Sequence, residues 1–392
     1  MYTSLRPLST AREMGLAGPS LIMPVIEGTL IEETLHPVRW AVIAALGIPC
    51  ALALAFLAAK LVGHNDAGRI FLRFLRLTLG IEILVLVILA LTGFLYEWRA
   101  ESRDAILYHP PGRLMDVGGY RMHLSCAGIG GGPTVILEYG HQATYFDWAL
   151  VQPEIAKFAR VCFYDRAGYG WSDPSPRPRV PSVMAEELHT LLDAAGAKPP
   201  YILVGHSYGS FNATMFAHKF PDEVSGLVLV DGMNTFSLFP APLRERISMR
   251  AMQFMIPFGL PRWRGWCGGG NVPEAMRGEK RAISCRAELY DTFYREREAY
   301  PESVFEMRTI TSLGSVPLIV IPRDPTIGRL STADTGWQRV QEQKMQLSTN
   351  AELVIATGSG HDVPLARPDV IVAAVRKLAL TPRAPAGNRG TP

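Results

Sequence analysis

Two long apolar runs stand out in the first hundred positions of the chain. Residues 40–61 and residues 77–96 each contain a single charged residue. About 20 consecutive apolar residues are enough to cross the hydrocarbon core of a bilayer. The pattern therefore predicts a transmembrane hairpin over residues 39–99, with spans at about 40–61 and 77–96. The segment before it, residues 1–38, carries no readable motif.

Charged and aromatic residues beside the runs predict how the hairpin lies. Tyr96 and Trp98 stand at the end of the second run, and amphipathic rings suit the membrane interface. The basic residues of the connection are Lys60, Arg69, Arg73 and Arg76, against Arg39 alone before the first run and Arg99, Arg103 and Arg113 after the second. By the positive-inside rule the connection lies in the cytoplasm, although the arginines after the second run favour the opposite orientation. We expect a multi-pass membrane protein with its remaining domain outside the cytoplasm.

Beyond residue 99 the pattern changes to short apolar runs alternating with amphipathic stretches. The strand-like runs are 120–126, 134–138, 161–165, 201–205, 227–231, 318–321 and 353–356, and the helix-like stretches are 146–158, 183–194, 210–220, 337–347 and 369–378. Short continuous apolar runs are typical of strands buried on both faces. Their alternation with helices predicts an α/β domain over residues 100–392 with a mainly parallel sheet.

One long interval interrupts this alternation, from about residue 232 to residue 313. It has a helical pattern and predicts an inserted cap, which we call the cap segment. Its apolar candidates for lining a substrate pocket are Met249, Met252, Phe254, Met255, Phe258, Trp263 and Trp266. The last stretch, residues 381–392, is rich in Pro, Gly and Arg and predicts a disordered tail.

Composition narrows the function classes. Of 392 residues, 48% are hydrophobic and 19% charged, below the roughly 25% charged that is typical of soluble domains. A net charge of +3 without a dense basic tract argues against a nucleic-acid partner. The five cysteines lack zinc-ligand spacing, so we expect no metal and no cofactor. If the domain is outside the cytoplasm, a disulfide between Cys267 and Cys285 is plausible.

A candidate nucleophile lies between a predicted strand and a predicted helix. The segment Gly205-His206-Ser207-Tyr208-Gly209 follows the apolar run 201–205. In this context a Gly-x-Ser-x-Gly motif forms a tight turn that exposes the serine hydroxyl. Gly205 and Gly209 are expected because larger side chains would clash there. The Tyr208 N–H at the start of the helix would bind an oxyanion.

The serine needs a base and an acid to become reactive. His361 is the predicted base, because it lies in a Gly-rich loop directly after the last strand run. Asp324 is the preferred acid, since it follows the strand 318–321 and preserves the chain order Ser, Asp, His. Asp231, at the end of the preceding strand, is the alternative acid.

These motifs together resemble the α/β-hydrolase superfamily. The segments TVILEYGHQATYFDW, YDRAGYGWSDP, ILVGHSYG, LVLVDG and GSGHDVPLARPDVI carry the resemblance, which covers most of residues 113–380. Among its members, the chain is similar to bacterial α/β-fold hydrolases, some of which carry N-terminal transmembrane segments. The resemblance implies the α/β-hydrolase fold with a helical cap.

The resemblance also implies roles for several residues. Gly140 matches the glycine of the oxyanion loop, so the second oxyanion N–H is expected from His141, with Gln142 as the alternative. Tyr139 stands where many members have histidine. Asp165 and Arg166 are expected to brace neighbouring loops. A serine nucleophile argues against haloalkane dehalogenase and epoxide hydrolase chemistry, which needs a carboxylate there.

The function expected from the sequence is hydrolysis of a carboxylic ester through an acyl-enzyme, by a serine hydrolase held at a membrane. The expected substrate is a small, lipophilic molecule. Amides, thioesters, lactones and carbon–carbon bonds are alternative targets of the same triad. A membrane-anchored binding protein without turnover is the alternative from a different class.

Overall fold

The computed structural model describes Leu57, Lys60 and residues 67–235, 242–269, 272–327 and 332–380. The predicted first span, the N-terminal segment and the predicted tail therefore lie outside the described residues, apart from Leu57 and Lys60. The chain divides into two compact units, Met1–Leu89 with Gly269–Asn271, and Ala90–Gly268 with Val272–Pro392. The sheet and the candidate site belong to the second unit.

The second unit contains an eight-stranded sheet with the order β1-β2-β4-β3-β5-β6-β7-β8. The strands are β1 (Arg113–Asp116), β2 (Arg121–Ala127), β3 (Thr134–Glu138), β4 (Val161–Tyr164), β5 (Tyr201–His206), β6 (Val224–Val230), β7 (Leu318–Ile321) and β8 (Ala351–Leu353). The β1–β2 and β2–β4 pairs are antiparallel, and the pairs from β4 to β8 are parallel. The predicted mainly parallel sheet is confirmed.

The strands at the centre of the sheet are buried on both faces. Every residue of β3, β4, β5 and β7 is buried. Alternate side chains join different core clusters: Val135 and Leu137 belong to one, Ile136 to the other. This burial explains why the strands read as continuous apolar runs. Strand β1, which is partly exposed, had no such signal in the sequence.

Helices connect several of the strands and make up much of the described part of the cap segment. They are α1 (Ala67–Leu107), α2 (Gln152–Ile155), α3 (Pro181–Ala194), α4 (Gly209–Lys219), α5 (Leu243–Met255), α6 (Leu260–Arg264), α7 (Arg277–Ser284), α8 (Ala287–Glu298), α9 (Tyr300–Thr309), α10 (Thr332–Lys344), α11 (Val363–Ala366) and α12 (Pro368–Leu380). The prediction of one helix over 146–158 is wrong. A 3-10 turn, Tyr145–Trp148, precedes the short α2, which has a proline in its first turn that cannot donate to a preceding helical turn.

Helix α1 contains the predicted second span. It has 41 residues, and its most apolar 18-residue window has a mean hydropathy of 2.4 with no buried residue. By length and composition this helix is able to cross a membrane. It is the one such helix among the described residues, so the second half of the predicted hairpin has a structural counterpart, and the first half stays a prediction.

Two disulfides stabilise the second unit. The predicted pair Cys267–Cys285 is bonded, within the cap segment. A second bond joins Cys126 to Cys162, which are direct partners across the β2–β4 ladder. Local spacing gives no hint of this second bond, because the two residues meet only through strand register.

Candidate active site

Ser207 lies on a strained turn between β5 and α4. Its φ is 52°, in the left-handed region that non-glycine residues rarely adopt. A Cβ atom at Gly205 would lie 2.5 Å from the Gly209 carbonyl oxygen, and one at Gly209 would lie 2.5 Å from that of Glu138. Both elbow positions therefore require glycine. The turn places Ser207 beyond the carboxyl end of the parallel strand β5.

A chain of hydrogen bonds links Ser207 to a buried acid. The Ser207 Oγ lies 3.0 Å from Nε2 of His361, and Nδ1 of His361 lies 2.6 Å from Oδ2 of Asp231. His361 therefore lies where the sequence predicts the base. The preference for Asp324 as the acid is wrong, because Asp231, the alternative, holds the imidazole. Both carboxylates end neighbouring parallel strands, and only the path of the loop after β8 decides which of them the imidazole meets.

The carboxylate of Asp231 is inaccessible to solvent and receives several donors. Its Oδ1 accepts hydrogen bonds from Nε1 of Trp337 at 2.7 Å and from the backbone N–H of Arg323 at 3.1 Å. Burial alone would raise the pKa of Asp231, but the hydrogen bonds from His361 and Trp337 outweigh it, and the pKa lies below its ordinary value. Asp231 is thus held as a carboxylate beside the imidazole.

Asp324 stabilises the loop of the histidine instead of its ring. Its Oδ2 accepts the backbone N–H of Gly358 at 2.8 Å, and its own N–H donates to the Ser359 carbonyl at 3.0 Å. Its Oδ1 accepts the N–H and the hydroxyl of Thr326. Asp324 therefore ties the loop after β7 to the loop that carries His361.

The two residues predicted to bind an oxyanion lie side by side. A Cβ atom at Gly140 would lie 3.0 Å from the Ser207 Cβ, so the loop after β3 passes directly by the nucleophile. The His141 ring stacks on the Tyr208 ring with centroids 3.9 Å apart. Burial and the nearby arginines Arg297 and Arg166 keep the pKa of His141 well below its usual value, so the ring is neutral. The oxyanion roles of the backbone N–H groups of Tyr208 and His141 stay predictions.

The family comparison agrees with this arrangement. The family model described as "Alpha/beta hydrolase family" matches residues 128–374, which include the elbow, both strand-end carboxylates and the histidine. The chain is an alpha/beta hydrolase. A fungal relative, the "AB hydrolase superfamily protein" of Gibberella zeae, is 27% identical over 277 residues, which cover 63% of this chain and 86% of the relative.

Two further similarities concern the fold and the length. A structure of a thermophilic esterase from Thermogutta terrifontis matches with a TM-score of 0.50 at 18% identity, covering 68% of this chain and 98% of the esterase. This likeness concerns the fold alone. The "Probable transporter efuK" of Hormonema carpetanum is 26% identical over 293 residues, 67% of this chain. The match spans only 42% of that relative's length.

A buried arginine braces the loop after β3 in this alpha/beta hydrolase. Arg166 donates to the backbone carbonyls of Tyr139 at 2.6 Å and of Gly140 at 2.8 Å. It also pairs with Glu138 at 2.6 Å and with Glu296 of the cap segment at 3.3 Å. The bracing role expected of Arg166 is confirmed by these contacts. The arginine holds the loop next to Ser207 and connects it to α8.

Tyr139 uses its hydroxyl within the same network. The hydroxyl accepts the Arg166 N–H at 2.8 Å and lies 3.4 Å from Oδ1 of Asp165. The other carboxylate oxygen of Asp165 lies 2.8 Å from Nδ1 of His123 on β2. The Tyr139 hydroxyl therefore anchors the loop after β3 to the loop after β4.

His206 of the elbow anchors the main chain of the base. Its Nε2 lies 2.9 Å from the His361 carbonyl oxygen. Burial, followed by the proximity of the His361 ring, lowers the pKa of His206 to about 3, so it is neutral and donates through Nε2–H. A residue inside the Gly-x-Ser-x-Gly segment thus positions the main chain of His361.

Helix α10 holds the loop of the acid from the other side. Besides Trp337, Nε2 of Gln341 donates to the Gly232 carbonyl at 2.7 Å and Nζ of Lys344 donates to the Met233 carbonyl at 2.8 Å. Burial lowers the pKa of Lys344 to about 7, although the charge of Asp231 opposes the shift. Trp337, Gln341 and Lys344 recur at intervals of four and three residues, which is a helical spacing visible in the sequence. The sequence does not show that this helix face contacts the loop after Asp231.

No metal-binding cluster is found in the described part of the chain. Among these residues, no group of three or more His, Cys, Asp or Glu side chains is arranged to hold an ion. The polar side chains in the hydrogen-bonded series from Ser207 are His361 and Asp231.

Proposed function

We propose that the protein is a membrane-anchored serine hydrolase that cleaves carboxylic esters with Ser207, His361 and Asp231. The hydrogen-bonded series Ser207–His361–Asp231 carries the proposal, with its distances of 3.0 and 2.6 Å. Serine hydroxyls are weak nucleophiles at neutral pH, and such an arrangement supplies the base and the orienting carboxylate that they need.

In the first half of the reaction, Ser207 Oγ attacks the ester carbonyl carbon and Nε2 of His361 takes the serine proton. The carboxylate of Asp231 stabilises the imidazolium that forms. The N–H groups of Tyr208 and His141 bind the tetrahedral oxyanion. The bond to the alcohol oxygen then breaks, and His361 gives its proton to the leaving alcohol.

In the second half, His361 deprotonates a water molecule that attacks the acyl-enzyme carbonyl. The tetrahedral intermediate uses the same N–H donors, and its collapse expels Ser207, which regains its proton from His361. Because Asp231 keeps a lowered pKa, it remains ionised through both halves. The cycle consumes one water and releases an acid and an alcohol.

Membrane anchoring rests on the apolar surface of α1. Its side chains from Ile83 to Leu89 are 47–65% exposed, which would be costly in water and favourable in lipid. Together with a first span at about 40–61 it would form a hairpin. The two disulfides support a domain outside the reducing cytoplasm. The substrate is then a lipophilic ester, close to a bilayer.

A fluorophosphonate probe applied to membranes that contain the full chain tests the chemistry. We expect the wild type to be labelled, Ser207→Ala to be unlabelled and His361→Ala to be labelled far more slowly. Ser225→Ala, at the opposite end of the sheet on β6, is the matched control and should label like the wild type. Unlabelled wild-type protein would favour a binding protein without turnover.

A substrate panel then tests the ester preference. Esters of increasing acyl length are compared with thioesters, lactones, amides and a carbon–carbon hydrolase substrate. We expect kcat/KM to be highest for an ester of a long acyl chain. A higher value for any other class would reassign the reaction while keeping the triad.

Location is tested separately by counting thiols. With the protein folded in membranes and without reductant, we expect a maleimide to modify at most Cys50, and all five cysteines after reduction and unfolding. Free thiols at Cys267 and Cys285 in protein isolated from cells would contradict the extracytoplasmic orientation.

A further inference from the structure

The cap segment exposes large aromatic side chains that the catalytic geometry does not use. Phe254, near the end of α5, is 71% exposed, and Trp263, in α6, is 68% exposed. The expectation that these two side chains line a substrate pocket is therefore wrong. The ring of Phe258 lies 5.5 Å from that of Phe254. We call these three residues the cap face. A contiguous exposed apolar patch marks a surface that contacts a protein partner or a membrane.

The cap face adjoins the carboxyl-terminal part of α1. A Cβ atom at Gly93 would lie 2.3 Å from the carbonyl oxygen of Phe258, so the two backbones touch. One turn of helix later, the Tyr96 ring packs against Gly259, where a Cβ atom would lie 2.5 Å from the ring. The turn that carries Phe258 therefore lies level with Gly93 and Tyr96, at the end of the predicted span.

A buried ion cluster holds this contact together. Arg262 donates to Glu97 at 2.8 Å and to Asp104 at 2.6 Å, and all three side chains are buried. Glu97 and Asp104 are two helical turns apart and so lie on one face of α1. A buried arginine between two carboxylates resists separation, because parting them would leave buried charges unpaired. The cap segment is thus fastened to α1 next to the cap face.

The cap segment is also fastened to the catalytic loops. Ser303 of α9 lies 3.1 Å from the Tyr208 hydroxyl, and the ring of Phe293 of α8 contacts that of His141 at 5.7 Å. The same segment therefore contacts the proposed oxyanion residues on one side and α1 on the other.

The geometry points to the cap face as a membrane-binding surface, inserted at the boundary between headgroups and acyl chains of the leaflet in which α1 ends. The inference rests on the proposed anchoring by α1. The cap face would bind a phospholipid bilayer. The substrate class that this binding implies is an ester dissolved in the lipid, which reaches Ser207 from the leaflet.

The chemistry of the surrounding side chains fits that occupant. Tryptophan and phenylalanine favour the interfacial layer, and the guanidinium of Arg264 lies 5.6 Å from the ring of Trp263. Exposed Arg99 and Arg103 follow on α1. Basic residues beside interfacial aromatics suit lipid phosphates and attract anionic headgroups. Phe94 and Trp98 are also exposed, and their spacing of four residues places them on one face of α1.

The test places an environment-sensitive fluorophore on single cysteines of the full chain in liposomes. The variants Phe254→Cys and Trp263→Cys are made with Cys50→Ser, and nitroxide-labelled phosphatidylcholine serves as the quencher. Both sites are exposed, so folding should persist, and fluorophosphonate labelling of Ser207 verifies it. We expect blue-shifted emission at both sites and loss of about half of the fluorescence to lipids with a shallow nitroxide.

Two control sites separate the possible failures. Ile129 is 91% exposed in the loop between β2 and β3, at the end of the sheet opposite Ser207. A fluorophore on Ile129→Cys should be quenched only by a water-soluble quencher. Leu86→Cys reports on α1 itself. Quenching at Leu86 without quenching at Phe254 and Trp263 would overturn the cap face alone. Unquenched Leu86 would overturn the proposed anchoring, and the cap face with it.

Activity provides an independent measurement. In the double variant Phe254→Ser with Trp263→Ser, we expect kcat/KM for a long-chain ester in phosphatidylcholine liposomes to fall about tenfold, with a soluble short-chain ester unaffected. In liposomes that also contain phosphatidylglycerol, the fluorophores on Phe254→Cys and Trp263→Cys should insert more deeply than in phosphatidylcholine alone. Adding Arg264→Gln should reduce this difference between the two lipid compositions. Equal losses on both substrates, or no loss on either, would contradict the inference.

Discussion

Two aspartates at the same edge of the sheet perform different tasks around one histidine. Asp231 follows β6 and Asp324 follows β7, and both side chains are buried. Asp231 receives the ring of His361 and the indole of Trp337, whereas Asp324 receives the backbone of Gly358. The first holds the imidazole of His361, and the second holds the loop that carries His361. Position at a strand end does not distinguish these tasks.

The difference has an electrostatic side. An acid beside a base that becomes cationic must stay ionised, and the donors around Asp231 keep its pKa low despite burial. Asp324 stabilises a neutral backbone N–H and a threonine, so its charge is not needed at the moment of reaction. Removing the charge from each aspartate should therefore have very different effects on turnover.

The largest expected effect comes from Asp231→Asn. An amide leaves the shape intact but favours the wrong tautomer of His361, and we expect kcat to fall by about 10³ to 10⁴. Ester hydrolysis by the full chain in detergent measures it. Asp324→Asn is the matched comparison and should lose less than about tenfold. A reversed order would restore Asp324 as the acid.

The second effect is that of Trp337→Phe, which removes one donor from the Asp231 carboxylate. A hydrogen bond to a charged group is worth about 1.5–3 kcal/mol, so kcat/KM should fall about 10- to 100-fold. The same change made with Asp231→Ala should have little further effect, because the acceptor is already gone. Additive losses in this double-mutant cycle would show that Trp337 acts elsewhere.

Asp324→Asn should act mainly on stability. Both oxygens of Asp324 accept hydrogen bonds, from Thr326 and from Gly358, and an amide must turn its NH2 group toward one of these donors. We expect a loss of about 1–3 kcal/mol in the free energy of unfolding. Denaturant unfolding followed by tryptophan fluorescence measures this loss, and unchanged stability would show that the loop is held by other contacts.

The smallest effect concerns the third anchor of the histidine, the His206 side chain. Its pKa is about 3 in the folded protein and about 6.5 when unfolded, so its contribution is complete above pH 6.5 and decreases as the pH falls toward 3. Between pH 6.5 and 4.5, protonation of His206 in the unfolded chain should lower the free energy of unfolding by up to about 1.4 kcal/mol per pH unit. His206→Gln, which keeps a donor for the His361 carbonyl, should show a smaller slope. An unchanged slope would mean that His206 titrates normally.

Most of the sheet was predictable because the central strands are buried on both faces. β3, β5 and β7 appear as uninterrupted apolar runs, and their predicted bounds agree with the structure to within a residue. β1 and the broken helix near Trp148 were not predictable, because one is half exposed and the other is interrupted by a proline whose effect depends on local hydrogen bonding. The disulfide Cys126–Cys162 requires a strand register that no local pattern contains.

The sequence by itself determined the elbow around Ser207, the glycines that flank it, the histidine loop and the apolar character of α1, because each depends on contiguous residues. The tertiary structure decided which aspartate contacts the histidine, which arginine holds the predicted oxyanion loop and where the cap segment meets α1. These contacts join residues far apart along the chain. The packing of loops at one edge of the sheet brings them together, and that packing depends on the whole core.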